Sequence, residues 1–135
     1  MPLITKISEY AIRALVHMAL QDGKRLLVKD LCRIEKLPPH FTRKALQVLN
    51  QHGYIQGNRG PGGGYVLTKS PSAIHLDKVI KLFEPTFSKR EMVPTANILE
   101  NLQHECLLAF RSKVKHLTVA SLAAPLRHNR KSGLP

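Results

Sequence analysis

The feature that most limits how this chain can fold is the sequence Arg-Gly-Pro-Gly-Gly-Gly at residues 59–64, which lies between two short apolar segments. The segments 54–57 and 64–68 contain residues that favour strands, and both border the glycine-rich stretch. Together they predict a β-hairpin with a glycine-rich tip. Because glycine has no side chain, the backbone of such a tip can approach another surface closely.

Two amphipathic helices are predicted ahead of this hairpin, near the N-terminus. Apolar residues recur at helical spacing over residues 7–19, and Gly23 ends this first helix. A second, shorter helix is predicted over residues 28–36, because Pro38 and Pro39 prevent its continuation. The residues of this second helix that are expected to point inward are Leu31, Cys32 and Ile34.

A third helix is predicted from Pro39 to Gly53, since proline suits a first helical turn and glycine suits a helix end. Two short helices joined by a tight turn predict a helix-turn-helix, and a hairpin directly after it predicts the wing of a winged helix. The expected fold is therefore mainly α with a small β-hairpin. The inward face expected for the third helix consists of Phe41, Ala45, Leu46 and Leu49.

The second half of the chain is expected to be helical as well. Residues 76–83 predict one short helix, and a long helix is predicted from Thr95, which can cap it, to about His116. The apolar stripe of this long helix is too wide for so small a domain to cover, which favours pairing of two copies about a two-fold axis. The residues expected at this dimer interface are Leu99, Leu102, Cys106, Phe110 and Val114.

The predicted organisation has four parts. Residues 1–85 form the winged helix-turn-helix and residues 86–94 a polar linker. Residues 95–126 contain the long dimerisation helix and a short final helix, which Thr118 caps and which continues to about Leu122. Residues 127–135 are predicted to be a basic, disordered tail.

Charge points to the class of partner. The chain has 21 Lys and Arg against 9 Asp and Glu, a formal net charge of +12, which is more than solubility needs and indicates a polyanion. No apolar run approaches the roughly 20 residues that span a membrane, and no secretory signal is visible, so double-stranded DNA is favoured over a membrane. Cys32 and Cys106 lie far apart, which suits free thiols and a cytoplasmic location.

The DNA contacts can be predicted by kind. The outward residues of the third helix are expected in the major groove, where arginine or lysine reads guanine and glutamine reads adenine. Arg59 is expected to enter the minor groove, while Lys6 and Lys29 hold phosphates. The residues expected in the major groove are His40, Arg43, Lys44 and Gln47. The glycines expected to let the wing approach DNA are Gly60, Gly62, Gly63 and Gly64.

Three segments also resemble a known family: residues 9–15, residues 39–49, and above all Arg-Gly-Pro-Gly-Gly-Gly-Tyr at residues 59–65. Over about residues 3–122 the chain resembles the Rrf2 family of winged-helix transcriptional regulators, which includes IscR, NsrR and CymR. The resemblance implies a homodimer that binds a palindromic operator, often as a repressor, with the helix that contains Cys106 as its dimer arm.

Many members of that family hold an iron–sulfur cluster on three cysteines of the linker and the long helix. Of these three, this chain has only the one that aligns with Cys106, and Ala109 stands where a histidine ligand can occur. Such clusters require about four ligands, so no cofactor is expected. Glu9, His104 and Cys106 are the residues that an unusual cluster would use, because Glu9 lies near a position from which some relatives recruit a carboxylate.

Two interpretations from other classes compete with this one. A sequence-nonspecific nucleic-acid-binding protein also fits the charge, and it would show no preferred site. An enzyme is not expected, because no catalytic motif, P-loop or dinucleotide fingerprint is present, and the 7 histidines show no metal-ligand spacing. Packing is the favoured interpretation for both Cys32 and Cys106.

Overall fold

The computed structural model of the chain describes residues 3–58, 63–85, 87 and 93–131, of which residues 128–131 are described as backbone only. Over these residues the fold is mainly helical with one two-stranded antiparallel hairpin, which confirms the predicted fold class. A short 3-10 helix, Pro71–Ala73, follows the hairpin. The longer elements are α1 (Lys6–Leu20), α2 (Val28–Glu35), α3 (Pro39–Gln51), β1 (Ile55–Asn58), β2 (Gly64–Leu67), α4 (Leu76–Phe83), α5 (Ile98–Val114) and α6 (Val119–Lys131).

Helix α1 is the centre of the fold, because α3, α4 and α6 all pack against it. Small residues such as Ala11 and Ala14 are fully buried on its inward face and let the neighbouring helices approach. Its first turn is tied to the end of α4, since the Glu84 carboxylate accepts hydrogen bonds from the Thr5 amide (3.1 Å) and the Ser8 hydroxyl (2.7 Å). The helix-turn-helix is therefore built onto a helix that is anchored at its start.

The turn between α2 and α3 follows the proline pair. Lys36 ends α2 in the left-handed conformation (φ 54°, ψ 49°), Leu37 is buried, and Pro39 occupies the first turn of α3. Thr42 is fully buried, and its hydroxyl donates a hydrogen bond of 2.8 Å to the Pro38 carbonyl. The side chain at this position therefore closes the turn.

The predictions that Ile34 and Phe41 point inward are wrong, since their side chains are 50% and 51% exposed. The buried residues of α3 are Thr42, Ala45, Leu46 and Leu49, which repeat at helical spacing, and Phe41 lies one residue, or about 100°, away from that face. Ile34 lies in the last turn of α2, where the chain turns away and the buried Leu37 follows.

The hairpin forms in the predicted place, and the segment between α1 and α2 is joined to it. Strand β1 pairs with β2 in the register Ile55 with Leu67. Leu26 and Tyr65 exchange two backbone hydrogen bonds, each 2.9 Å, so Leu26 forms an isolated bridge at the edge of the wing. This pairing holds the base of the wing against the start of α2.

Asn97, not Thr95, caps α5, so the predicted cap is wrong. The Asn97 side chain accepts hydrogen bonds from the amides of Leu99 (3.0 Å) and Glu100 (3.2 Å), whereas the Thr95 hydroxyl accepts from the Asn97 amide. Thr95 lies two residues too early to reach the free amides of the first turn. The cap predicted at Thr118 is confirmed, because Thr118 and Ser121 exchange side-chain-to-amide hydrogen bonds.

Helix α6 is longer than predicted and includes the beginning of the segment expected to be a disordered tail. Val119 and Ala123 are buried in the core beside α1. Arg127 then contacts the other end of α1, where its guanidinium pairs with Asp22 (2.8 Å) and donates a hydrogen bond to the Ala19 carbonyl. Helix α6 thus continues to Lys131, beyond its predicted end near Leu122, and the prediction of a disordered tail from residue 127 stays a prediction. No described helix is long and apolar enough to cross a membrane.

Candidate nucleic-acid interface

The outward face of α3 carries all four residues that were predicted to enter the major groove. The spacing of these residues is i, i+3, i+4 and i+7, which places them on one side of the helix. All four are exposed, and they lie opposite the buried face of α3. The first turn of α3 contains no acidic residue, so nothing there repels a phosphate. These outward residues are His40, Arg43, Lys44 and Gln47.

Phe41 lies among these polar residues and was missed as a surface residue by the sequence analysis. Its ring is edge-on to the His40 ring, with 5.5 Å between the ring centroids, and the Lys44 ammonium is 6.0 Å from the Phe41 ring centroid. The signal that could have placed Phe41 outward is the better helical spacing of the set that begins at Thr42. The exposed face of α3 is therefore partly aromatic.

The tip of the wing falls outside the described residues, so the predictions for Arg59, Gly60 and Gly62 stay predictions. Gly63 is half-buried. Gly64 is required by the fold itself: its φ is +128°, and a Cβ atom there would lie 2.7 Å from the Leu26 carbonyl oxygen. A side chain at position 64 would therefore separate the wing from the segment before α2. The DNA contact predicted for Gly64 remains a prediction.

Arg25, in the segment before α2, lies beside the wing and was not among the predicted site residues. In the amide orientation that satisfies both groups, the Asn58 side-chain oxygen accepts hydrogen bonds from the Arg25 guanidinium, which is thereby held beside β1. A cleft of about 370 Å³ lies next to it, between the start of α2 and the wing. Its polar lining includes Asn50 and Asn58. The Leu26–Tyr65 pairing brings Arg25 to this place, so no local sequence pattern could have found it.

The two lysines that were predicted to hold phosphates differ in their surroundings. Lys29 is exposed in the first turn of α2. Lys6 is also exposed, but its ammonium lies 3.5 Å from the Glu9 carboxylate, which also pairs with Arg13 at 2.9 Å. The charge of Lys6 is therefore partly compensated, and Lys29 is the stronger candidate of the two.

A charged network holds α2 against α1 and so sets the position of the helix-turn-helix. The Arg13 guanidinium donates a hydrogen bond of 3.4 Å to the Glu35 carbonyl at the end of α2. The His17 ring, which is buried, lies 3.4 Å from the Glu35 carboxylate and 3.3 Å from the Gln21 amide. These contacts orient α2 relative to α1, and α3 follows directly.

Tyr54 fixes the other end of α3, where the helix meets the wing. Its amide donates a hydrogen bond to the Leu49 carbonyl, and its carbonyl accepts one from Thr68. Burial raises the pKa of the Tyr54 phenol above its ordinary value of 10.0, and the negative charge of Asp77 adds to the effect. The phenol is therefore neutral at physiological pH and serves packing.

Helix α5 carries two different apolar faces. Its second half packs into the same protomer, where Leu107 and Val114 are buried and Phe110 is half-buried, with its ring edge-on to Phe87 (centroids 6.1 Å apart). The prediction of Val114 at the dimer interface is therefore wrong, since its side chain is only 4% exposed within one chain. The Phe110 side chain is also partly buried within one chain, against Phe87.

The first half of α5 leaves its apolar side chains uncovered. Leu99 and Leu102 are 68% and 58% exposed, and the Cys106 thiol is exposed on the same helix. Ile98 is exposed as well. We call Ile98, Leu99, Leu102 and Cys106 the α5 apolar surface. Three of the predicted interface residues, Leu99, Leu102 and Cys106, thus lie together on a free surface.

The fold and the α3 surface define a winged helix-turn-helix protein of the transcription-regulator class. Comparison with known families is more specific: the chain belongs to the Rrf2 family, whose profile, described as iron-dependent transcriptional regulator, matches residues 4–125. The relatives are transcriptional regulators and not enzymes, which confirms the expectation drawn from the absence of a catalytic motif.

Two curated relatives and one solved structure illustrate the match. An inferred HTH-type transcriptional regulator of Aquifex aeolicus is 32% identical over 83 residues, which cover 62% of this chain and 57% of that relative. The HTH-type transcriptional regulator NsrR of Bacillus licheniformis is 26% identical over 124 residues, 91% of this chain and 82% of the relative. The structure of CymR, the global cysteine regulator of B. subtilis, superposes with a TM-score of 0.74 at 23% identity over 92% of this chain and 98% of CymR, which shows the shared fold.

The family description raises the question of an iron site, and the donor set of this chain does not fit one. His104 and Cys106 are two residues apart on α5, so they point to different sides of the helix. Glu9 is on α1, where Lys6 and Arg13 occupy its carboxylate. Among the described residues no group of three or more His, Cys, Asp or Glu could hold a metal ion. The expectation that no cluster binds therefore stays a prediction.

Proposed function

We propose that the protein is a cytoplasmic, sequence-specific repressor that binds a palindromic operator as a homodimer. The observation that carries the proposal is the division of α3: one face is fully buried, and the opposite face presents a row of exposed cationic and polar side chains. A helix of this kind after a tight turn fits the major groove of B-DNA. The net charge of +12 supplies the attraction to phosphates.

The contacts divide by element. Arg43, Lys44 and Gln47 read base edges from α3, with His40 beside them at the start of the helix. Arg59 and the wing glycines approach the minor groove. Lys29 and Arg25, which lie next to the wing base and the start of α2, hold the phosphate backbone and set the register without reading sequence.

The homodimer rests on the α5 apolar surface. Exposed apolar side chains in a row, such as Leu99 and Leu102, are typical of an interface and costly to leave in water. Pairing two such helices about a two-fold axis buries the row and presents two copies of α3 to one duplex. Two copies related in this way require an operator with matching two-fold symmetry.

The test is a selection of binding sites from a pool of random duplex DNA, followed by affinity measurements on the selected and a scrambled sequence at two salt concentrations. We expect a palindromic consensus and an affinity difference of about a thousandfold or more between the two sequences. Enrichment of no consensus, with equal affinity for both DNAs, would instead establish the sequence-nonspecific alternative. Repression is then measured with a reporter gene behind the selected site.

A further inference from the structure

An exposed aromatic ring stands in the first turn of α3, in the middle of the residues proposed to read bases. The Phe41 side chain is 51% exposed, whereas Leu46 and Leu49 of the same helix are almost completely buried. Its position is not a failure of packing, because the inward position of this turn is filled by Thr42, whose hydroxyl is satisfied by the Pro38 carbonyl. The fold therefore places Phe41 outward.

The neighbours of the ring hold it in place. The His40 ring meets it edge-on at 5.5 Å, and the Lys44 ammonium lies 6.0 Å from its centroid. Aromatic and cation–π contacts of this kind restrict the ring and favour one orientation. Phe41 thus forms an apolar spot of defined position, flanked by the His40 ring and the Lys44 ammonium.

The chemistry of the major groove offers one apolar partner for such a spot. Most groups exposed there are hydrogen-bond donors and acceptors, and the exception is the 5-methyl group of thymine. The polar side chains of α3 read the donors and acceptors, but their hydrogen-bonding groups have no partner in a methyl group. A phenyl ring between them can, because burying the methyl group against it removes apolar surface from water.

We propose that Phe41 is a specificity-determining residue that contacts the 5-methyl group of a thymine in each operator half-site. The inference rests on the proposed function, since it requires α3 to lie in the major groove. It adds a preference that the charged residues do not supply, for thymine over cytosine and over uracil at one position in each half-site.

The test replaces each thymine of the selected site, one at a time and in both half-sites, by deoxyuridine, which lacks only the methyl group. For the wild-type protein we expect one symmetric pair of replacements to weaken binding by about fourfold for each methyl group, or about fifteenfold for the pair. All other replacements should change the affinity less. This arm needs no variant, so it does not depend on how a substitution folds.

The same scan with Phe41→Ala assigns the effect. The variant should bind the thymine site about as weakly as the wild type binds the deoxyuridine site, and it should lose nothing further when the methyl groups are removed. Phe41→Leu, which retains an apolar side chain, should keep part of the methyl dependence. Ile34→Ala is the matched control, because Ile34 is equally exposed (50%) but lies on α2, and its scan should equal that of the wild type.

Two results of the deoxyuridine scan would overturn the proposal. One is a wild-type affinity that no deoxyuridine replacement changes; the other is an equal methyl dependence in the wild type and in Phe41→Ala. A change in oligomeric state for Phe41→Ala would likewise show that another copy of the chain covers the ring. If the random pool yields no consensus, the proposed function itself fails, and that outcome is distinct from a consensus that lacks methyl dependence.

Discussion

Helices α3 and α5 are both amphipathic, but only α3 has its whole apolar face covered within one chain. In α3 the inward residues Ala45, Leu46 and Leu49 are essentially fully buried, and the outward face is polar apart from Phe41. In α5 the second half buries Leu107 and Val114, whereas the first half exposes Leu99 and Leu102 to solvent. The two helices therefore differ in where their apolar surface is covered.

In the proposed dimeric regulator, this difference separates two tasks, reading DNA and pairing with a second copy. A helix that reads DNA must have its position fixed by the core of one protomer, since its side chains have to meet base edges precisely. A helix that pairs with a second copy must keep apolar surface in reserve. The contrast between buried Leu46 and exposed Leu102 agrees with the proposed division of tasks, and it can be tested at each helix.

The largest effect is expected for Leu102→Glu on the α5 apolar surface. An uncompensated charge buried at an interface costs about 3–5 kcal/mol, so the dimer dissociation constant should rise more than a hundredfold. Sedimentation velocity should show a monomer. The circular dichroism spectrum of the variant should equal that of the wild type. Lys113→Glu, an exposed position in the second half of the same helix, is the control. A dimer of unchanged stability for Leu102→Glu would remove the distinction between α3 and α5.

The second expectation concerns Leu46→Ala in the buried face of α3. Removing a fully buried leucine side chain should lower the free energy of unfolding by about 2–5 kcal/mol, measured by urea denaturation. Leu102→Ala should instead lower the free energy of unfolding only through the dimer contact that it weakens. Its effect should therefore grow with protein concentration. Equal, concentration-independent losses for both variants would mean that α5 is completed within the protomer.

A smaller effect is expected for Arg43→Ala on the outward face of α3. Loss of a base-reading side chain should weaken binding to the selected site by about 1–3 kcal/mol and reduce the preference over a scrambled site. Lys113→Ala removes one exposed cation from α5 and should affect both DNAs equally and slightly. Should Arg43→Ala also weaken both DNAs by the same factor, Arg43 is a phosphate contact.

The smallest expected effect is that of Asn97→Ala at the start of α5. The Asn97 side chain satisfies two first-turn amides, and loss of such a cap costs about 1 kcal/mol. Because the first half of α5 has few contacts within one chain, the loss of the cap should act locally. We expect about fivefold faster hydrogen exchange of the Leu99 and Glu100 amides, measured in the monomeric Leu102→Glu variant. Thr95→Ala, which removes the residue that does not cap the helix, should change these rates less.

Much of the fold could be predicted because local rules decide it. The proline pair at residues 38–39 prevents α2 from continuing and starts α3, whatever surrounds them. The capping pair Thr118 and Ser121 and the glycine-rich hairpin also act over a few residues. The polar face of α3 was predictable for the same reason, since helical spacing alone separates it from the apolar face.

The sequence by itself thus determined where the helices and the hairpin lie and which side chains of α3 could meet DNA, because backbone geometry and periodicity are local. The tertiary structure decided which apolar residues are covered: Thr42 takes the inward place expected for Phe41, and Val114 packs in the protomer. It also brought Arg25 to the wing and paired Arg127 of α6 with Asp22, which follows the end of α1. Contacts between residues so distant in sequence depend on how the elements pack, and no local pattern encodes that.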